Sequence, residues 1–196
     1  MAKKPENFMF MKVGNHAGED FESIIKRKMD EFHKTGMIFW GYGGNTCHPL
    51  TQVRPFVKSV VEKGGMVHLL MEPIDSRAEP DLLPATEYSD DGLIWKPIPK
   101  GIRVVGSRYA VVLGEIKPSD FELPLGNYHV GIGRSRGYPA DKYIKGRVDK
   151  ACLSLAEVRR DAEHIVQIGF TAEIIDPYAV MVRNSEAIRP RKSFKF

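Results

Sequence analysis

Apolar and polar residues alternate along this chain in blocks that predict a sequence of elements. Phe8 to Val13 is almost wholly apolar and reads as a buried strand, closed by Gly14-Asn15. Residues 18–34 carry a helical stripe at Phe21, Ile24, Ile25 and Phe32. Glu19, Asp20 and Glu22 open that helix, and His33 and Lys34 lie in its last turn before Gly36, an order that suits the helix dipole and a glycine C-cap. Met37 to Trp40 is a short apolar strand. Pro55 then opens a second helix, Pro55 to Lys63, which ends at Gly64-Gly65, and Met66 to Met71 reads as a strand.

The later half predicts mostly strands. Leu93 to Pro97, Ile102 to Val105, Tyr109 to Ile116 and Tyr128 to Ile132 fit that reading. Ser154-Leu155-Ala156-Glu157 has the form of a capping box, so the pattern predicts a helix over Leu155 to Ile168. Thr171 to Ile175 and Tyr178 to Val182 read as a hairpin around Asp176-Pro177. The expected fold is therefore α+β: a mixed, partly closed, barrel-like sheet with flanking helices and a C-terminal helix plus hairpin. Residues 1–150 form a single ligand-binding domain in this reading, with residues 151–196 packed on it.

Composition narrows the class. The chain has 196 residues, 42% of them hydrophobic and 28% charged, as in an ordinary globular protein. It has no apolar run of the roughly 18 to 20 residues that a membrane span requires, and no apolar stretch opens it as a secretory signal would. Two cysteines, Cys47 and Cys152, make no disulfide framework, and reduced thiols point to a cytoplasmic setting. No spacing of Cys and His predicts a metal site, and nothing calls for a cofactor. The net charge of +4 permits an anionic partner, and its distribution is uneven. Asp75 to Asp91 holds six acids against Arg77, whereas Arg134 to Lys150 holds six bases against Asp141 and Asp149. The tail from Arg183 to Lys195 is basic again.

The candidate chemistry centres on residues 39–49, Phe-Trp-Gly-Tyr-Gly-Gly-Asn-Thr-Cys-His-Pro. Aromatic rings, glycines and directional polar groups in one segment suit a pocket wall. Trp40 and Tyr42 are expected to stack a flat ring, and Asn45, His48 and Gln52 to read its polar edges. Arg54 is expected to meet phosphate. The plainer alternative is that Trp40 is core and Gly43-Gly44 a turn. His16 lies in Asn15-His16-Ala17-Gly18-Glu19, a strand-to-helix loop that either caps the helix or presents groups to a ligand. Residues 131–137, Gly-Ile-Gly-Arg-Ser-Arg-Gly, match neither the Walker nor the dinucleotide spacing. They still place Arg134 and Arg136 beside flexible backbone and Tyr138, which suits phosphate, though a solvated basic loop fits equally.

The opening strand Asn7 to Lys12, the Trp40-Gly41 element and the Val111 to Ile116 strand (VVLGEI) resemble the PUA-like superfamily, in particular its EVE, ASCH and YTH branches, over residues 7–125. The resemblance implies a small closed barrel with an aromatic-lined pocket that recognises nucleic acid, often a modified base, and places Trp40 on that pocket. Residues 43–45, the acidic loop and the Arg134 region have no counterpart in it. Three functional readings follow. The first is a binder of a nucleotide-like ligand, either a base in nucleic acid or a free nucleotide. The second is an enzyme that hydrolyses a phosphodiester or glycosidic bond of a nucleotide, with His48 as acid or base. The third is a protein-interaction module that uses the acidic loop and basic tail. The oligomeric state is open.

Overall fold

A computed structural model describes residues 5–76, 82–145, 148–158 and 164–186. In chain order the elements are β1 (Asn7–Val13), α1 (Phe21–Thr35), β2 (Ile38–Tyr42), a π-helical turn (Pro49–Val53), α2 (Arg54–Val61), β3 (His68–Pro73), β4 (Glu87–Ser89), β5 (Lys96–Pro97), β6 (Tyr109–Pro124), a 3-10 turn (Leu125–Asn127), β7 (Tyr128–Val130), α3 (Ala140–Tyr143), β8 (Lys150–Leu155) and β9 (Ile165–Arg183). The fold is mixed α+β and mostly sheet.

One sheet runs β2-β6-β9-β3-β1-β8-β7, with β4 and β5 attached to the far end of β9. Only β1 and β3 pair parallel; the other contacts are antiparallel. The terminal strands β2 and β7 do not pair with each other, so the sheet is open rather than partly closed. β1 shows why its sequence is almost continuously apolar. Met9, Met11 and Val13 pack under α1 and α2, while Phe8 and Phe10 face a second core with Leu70, Leu123 and Tyr128. A strand buried on both faces has no polar side to show. Phe8 meets Tyr128 edge-on at 4.9 Å.

α1 starts later than its stripe suggests because residues 16–19 close a tight turn. The His16 and Glu19 backbones exchange two hydrogen bonds, at 3.0 and 2.9 Å, across Ala17 (φ 50°) and Gly18 (φ 77°). Asp20 then caps the helix by accepting from the Ser23 amide, and Gly36 ends it in the left-handed region.

Several expected elements differ. The Ile102 to Val105 run, buried except for Arg103, is not a strand: beyond one isolated bridge at Pro84–Val105, with the Ala85 amide on the Val104 carbonyl, its Arg103 peptide bonds to helix side chains. Glu31 Oε1 accepts from the Arg103 amide at 2.9 Å, and Lys28 Nζ donates to the Arg103 carbonyl at 2.8 Å. Leu93 to Pro97 contributes only Lys96–Pro97, since the Asp91 carboxylate takes the Leu93 and Ile94 amides into a turn. The expected helix over residues 155–168 is replaced at both described ends by strand. β8 runs to Leu155 along the free edge of β1, and Ser154 Oγ donates to Asn7 Oδ1 at 2.8 Å instead of capping a helix. Residues 159–163 lie outside the described set. There is likewise no hairpin at Asp176-Pro177. The segment 175–178 bulges opposite Val112 while β9 continues along β6 on both sides. β8 and β9 are thus interior strands of the same sheet. Residues 187–196 of the basic tail and residues 77–81 of the acidic loop are also outside the described set.

Candidate functional site

A hollow opens at the carboxyl ends of the parallel strands β1 and β3. Its volume is about 270 Å³, just below the roughly 300 to 1,000 Å³ usual for ligand pockets. Val13, Gly14 and Asn15 form one side, Ile74 and Ser76 another, and residues 103–107 the rim. Trp40 and Tyr42 line it from β2, and His16 and Ala17 line it from the turn before α1.

Close backbone packing shapes this wall. A Cβ on Gly41 would fall 2.4 Å from Ser107 Oγ and 2.8 Å from Val104 Cγ1, so only glycine lets β2 lie against the 104–107 segment. His16 Nε2 lies 3.0 Å from the Val105 carbonyl and ties the turn to the same segment. Trp40 is only 7% exposed and Tyr42 4%, and both belong to the core cluster around β1 and α1, so neither offers the open stacking face expected of it. The Tyr42 hydroxyl donates to the Cys47 carbonyl at 2.5 Å, and burial raises its pKa well above the ordinary value.

Charge converges on the hollow from four segments. Lys12, Arg27, Lys28, Arg103 and Lys150 line it, against Glu19 and Asp149. Lys28 is structural: Nζ donates to both Glu31 oxygens, to the Phe39 carbonyl at 2.6 Å and to the Arg103 carbonyl. Burial pulls the Lys28 pKa down to about 8, opposed by the Glu31 carboxylate. Arg27 grips Glu19 with two bonds, Nε to Oε1 at 2.9 Å and Nη2 to Oε2 at 2.7 Å. Arg103 Nη1 reaches the same carboxylate at 3.3 Å. The Arg27 bond holds the Glu19 carboxyl below its usual pKa. Lys150 Nζ contacts Asp149 Oδ1 and lies beside Gly44.

The residues expected to share one site fall into separate groups. His16, Trp40 and Tyr42 line the hollow; Asn45, His48, Gln52 and Arg54 do not. Asn45 Oδ1 accepts from Arg108 Nη2 at 3.4 Å, beside the Gly44 carbonyl that takes the same group at 3.0 Å. His48 heads the π-helical turn, its Nδ1 accepting from the Leu50 amide at 3.2 Å and its ring packed 5.2 Å from Tyr109. Gln52 Oε1 accepts the His48 amide at 2.6 Å, and its amide end lies next to Gly133. Arg54 Nη1 donates to the Asp90 carbonyl. Arg134, Arg136 and Tyr138 line a different, shallow hollow with Tyr143. Gln52 and the Arg134 loop are therefore neighbours, but not around Trp40.

Sequence reasoning overlooked Lys12, Glu19, Arg27, Arg103 and Lys150 as site residues. One signal was available: Lys28 and Glu31 fall at i+4 and i+7 from Ile24, on the buried stripe of α1. Charges on such a stripe mark a built polar feature. Among the described residues, no three His, Cys, Asp or Glu side chains cluster as metal ligands, and no helix is long and apolar enough to cross a membrane. Cys47 and Cys152 are free and buried; contact with Cys47, then burial, pushes the Cys152 thiol pKa up, which leaves it a poor nucleophile. No family model, curated protein or solved structure matches the chain.

Proposed function

We propose that this protein binds a small anionic, nucleotide-like ligand in the hollow beside Trp40, as a free nucleotide or as one base of a nucleic acid. One observation carries the reading: Lys12, Arg103 and Lys150 converge with the Arg27 and Lys28 network on a cavity bordered by an indole and a phenol. Trp40 and Tyr42, nearly buried in the wall of the hollow, supply apolar contact to the ring, and the basic rim meets phosphate. The resemblance of residues 7–125 to the PUA-like superfamily points to the same ligand class, and two unpaired thiols fit a cytoplasmic setting.

Arg103 gives the clean test. Its peptide N–H and C=O hold the 102–105 segment to α1, while its guanidinium is 48% exposed at the rim. Arg103→Ala therefore removes the rim charge and keeps the backbone anchors. Calorimetric titration with the four ribonucleoside monophosphates should give a dissociation constant at least about tenfold weaker for this variant, as loss of a charge-assisted hydrogen bond implies. Binding within twofold of wild type, or no binding of any of the four by wild type, overturns the reading.

A further inference from the structure

We infer that Arg27 and Arg103 form the phosphate subsite of this hollow, and that the Glu19 carboxylate occupies it as an internal stand-in that the ligand's phosphate displaces. The inference rests on the proposed ligand-binding role of the hollow.

The geometry is that of a bound oxyanion. Two oxygens of one carboxylate receive Nε and Nη2 of Arg27 in the paired arrangement that guanidinium also offers phosphate, and Arg103 approaches Oε1 from the opposite segment. The cationic frame does not depend on its present occupant. Arg27 Nη1 is separately held by Glu31 Oε1 at 3.0 Å and by the Arg103 carbonyl at 3.3 Å, so the guanidinium stays aimed when Glu19 leaves. Glu31 is in turn fixed by Lys28 and by the Arg103 amide, and is only 2% exposed.

Glu19 differs from Glu31 in being free to withdraw. It sits at the end of the His16–Glu19 turn, whose two backbone bonds and His16–Val105 contact remain intact when only the Glu19 side chain rotates. Its side chain is 24% exposed, which gives the displaced carboxylate a path to water. The turn itself holds Ala17, a residue with a Cβ, in the left-handed region, a conformation that persists where its surroundings enforce it. Because Arg27 keeps Glu19 ionised, the stand-in carries one negative charge at neutral pH. A terminal phosphate monoester, which bears nearly two charges, has the electrostatic advantage in the same cradle, so the stand-in favours a free nucleotide over a phosphodiester.

The test uses inorganic pyrophosphate, which probes the subsite without the ring. Glu19→Gln removes the competing charge and keeps the side-chain shape, so it should bind pyrophosphate about tenfold or more tightly than wild type by calorimetry. Wild-type protein gives a second readout that needs no variant: saturating pyrophosphate should move the Glu19 side-chain carboxyl carbon and Arg27 Nε resonances. Equal or weaker pyrophosphate binding by Glu19→Gln, or an unmoved Glu19 carboxyl resonance at saturation, overturns the stand-in. If wild type nonetheless binds a mononucleotide in an Arg103-dependent way, the hollow remains the site and only the subsite assignment falls. If neither protein binds pyrophosphate or any mononucleotide, both fall together.

Discussion

Replacing Lys28 with alanine should lower the unfolding free energy by about 3–5 kcal/mol, the loss typical of a buried ion pair that is broken from one side. Lys28 and Glu31 are 3% and 2% exposed, so neither charge has water to fall back on. The ammonium donates to the Glu31 carboxylate and to two main-chain carbonyls, from β2 at Phe39 and from Arg103. Its removal costs all three acceptors a buried charged donor, leaving Glu31 with Arg27 and the Arg103 amide and the Arg103 carbonyl with Arg27 Nη1. Because that cluster also fastens the rim of the hollow to α1, ligand affinity should fall with stability. Urea unfolding at neutral pH, followed by circular dichroism, measures the effect; a loss below about 1 kcal/mol would mean that the pair is not buried as described.

Ile168→Ala should cost about 2–5 kcal/mol, while Ile165→Ala should stay within about 0.5 kcal/mol of wild type. In β9 these residues face opposite ways. Val166 and Ile168 are buried against Phe8, Phe10 and Leu123, whereas Ile165 is 54% exposed. A helix over the same residues would put positions 165 and 168 on one face and make the two substitutions alike. The same unfolding experiment on both variants therefore distinguishes strand from helix.

That contrast shows where the chain is readable in advance. β1, α1 and β2 declare themselves locally: an unbroken apolar run, a capped amphipathic stripe, and a short apolar segment between Gly36 and the glycines after Tyr42. The region after Lys150 misleads because its structure depends on distant partners. Ser154 and Glu157 have capping-box spacing, yet Ser154 is drawn into the ladder by Asn7, 147 positions earlier. Asp176-Pro177 carries a turn signal, yet it produces only a local bulge, because β9 pairs with β6 both before and after it. Pairing with a long neighbouring strand confines the turn chemistry to that bulge.

The site divides the same way. Trp40, Tyr42 and His16, which line the hollow, stood out in the sequence because aromatic and glycine chemistry is concentrated in β2 and in the turn after β1. The cations that make the hollow basic come from β1, α1 (which supplies two), the 102–105 segment and β8, and only the fold assembles them. Arg134 and Arg136 stood out as a pair, but their loop closes on itself through Arg136–Gly133 and Tyr138–Ser135 backbone bonds and faces another hollow.

The central claim is that the cavity beside Trp40 takes a nucleotide-like anion. The most direct measurement follows the indole N–H resonance of Trp40 while each ribonucleoside monophosphate is added to isotopically labelled protein. The account predicts a saturable shift of that resonance, shared by Lys12, Arg103 and Lys150, for at least one of them. Shifts confined to residues 133–143, or a Trp40 resonance that none of the four moves, would contradict it.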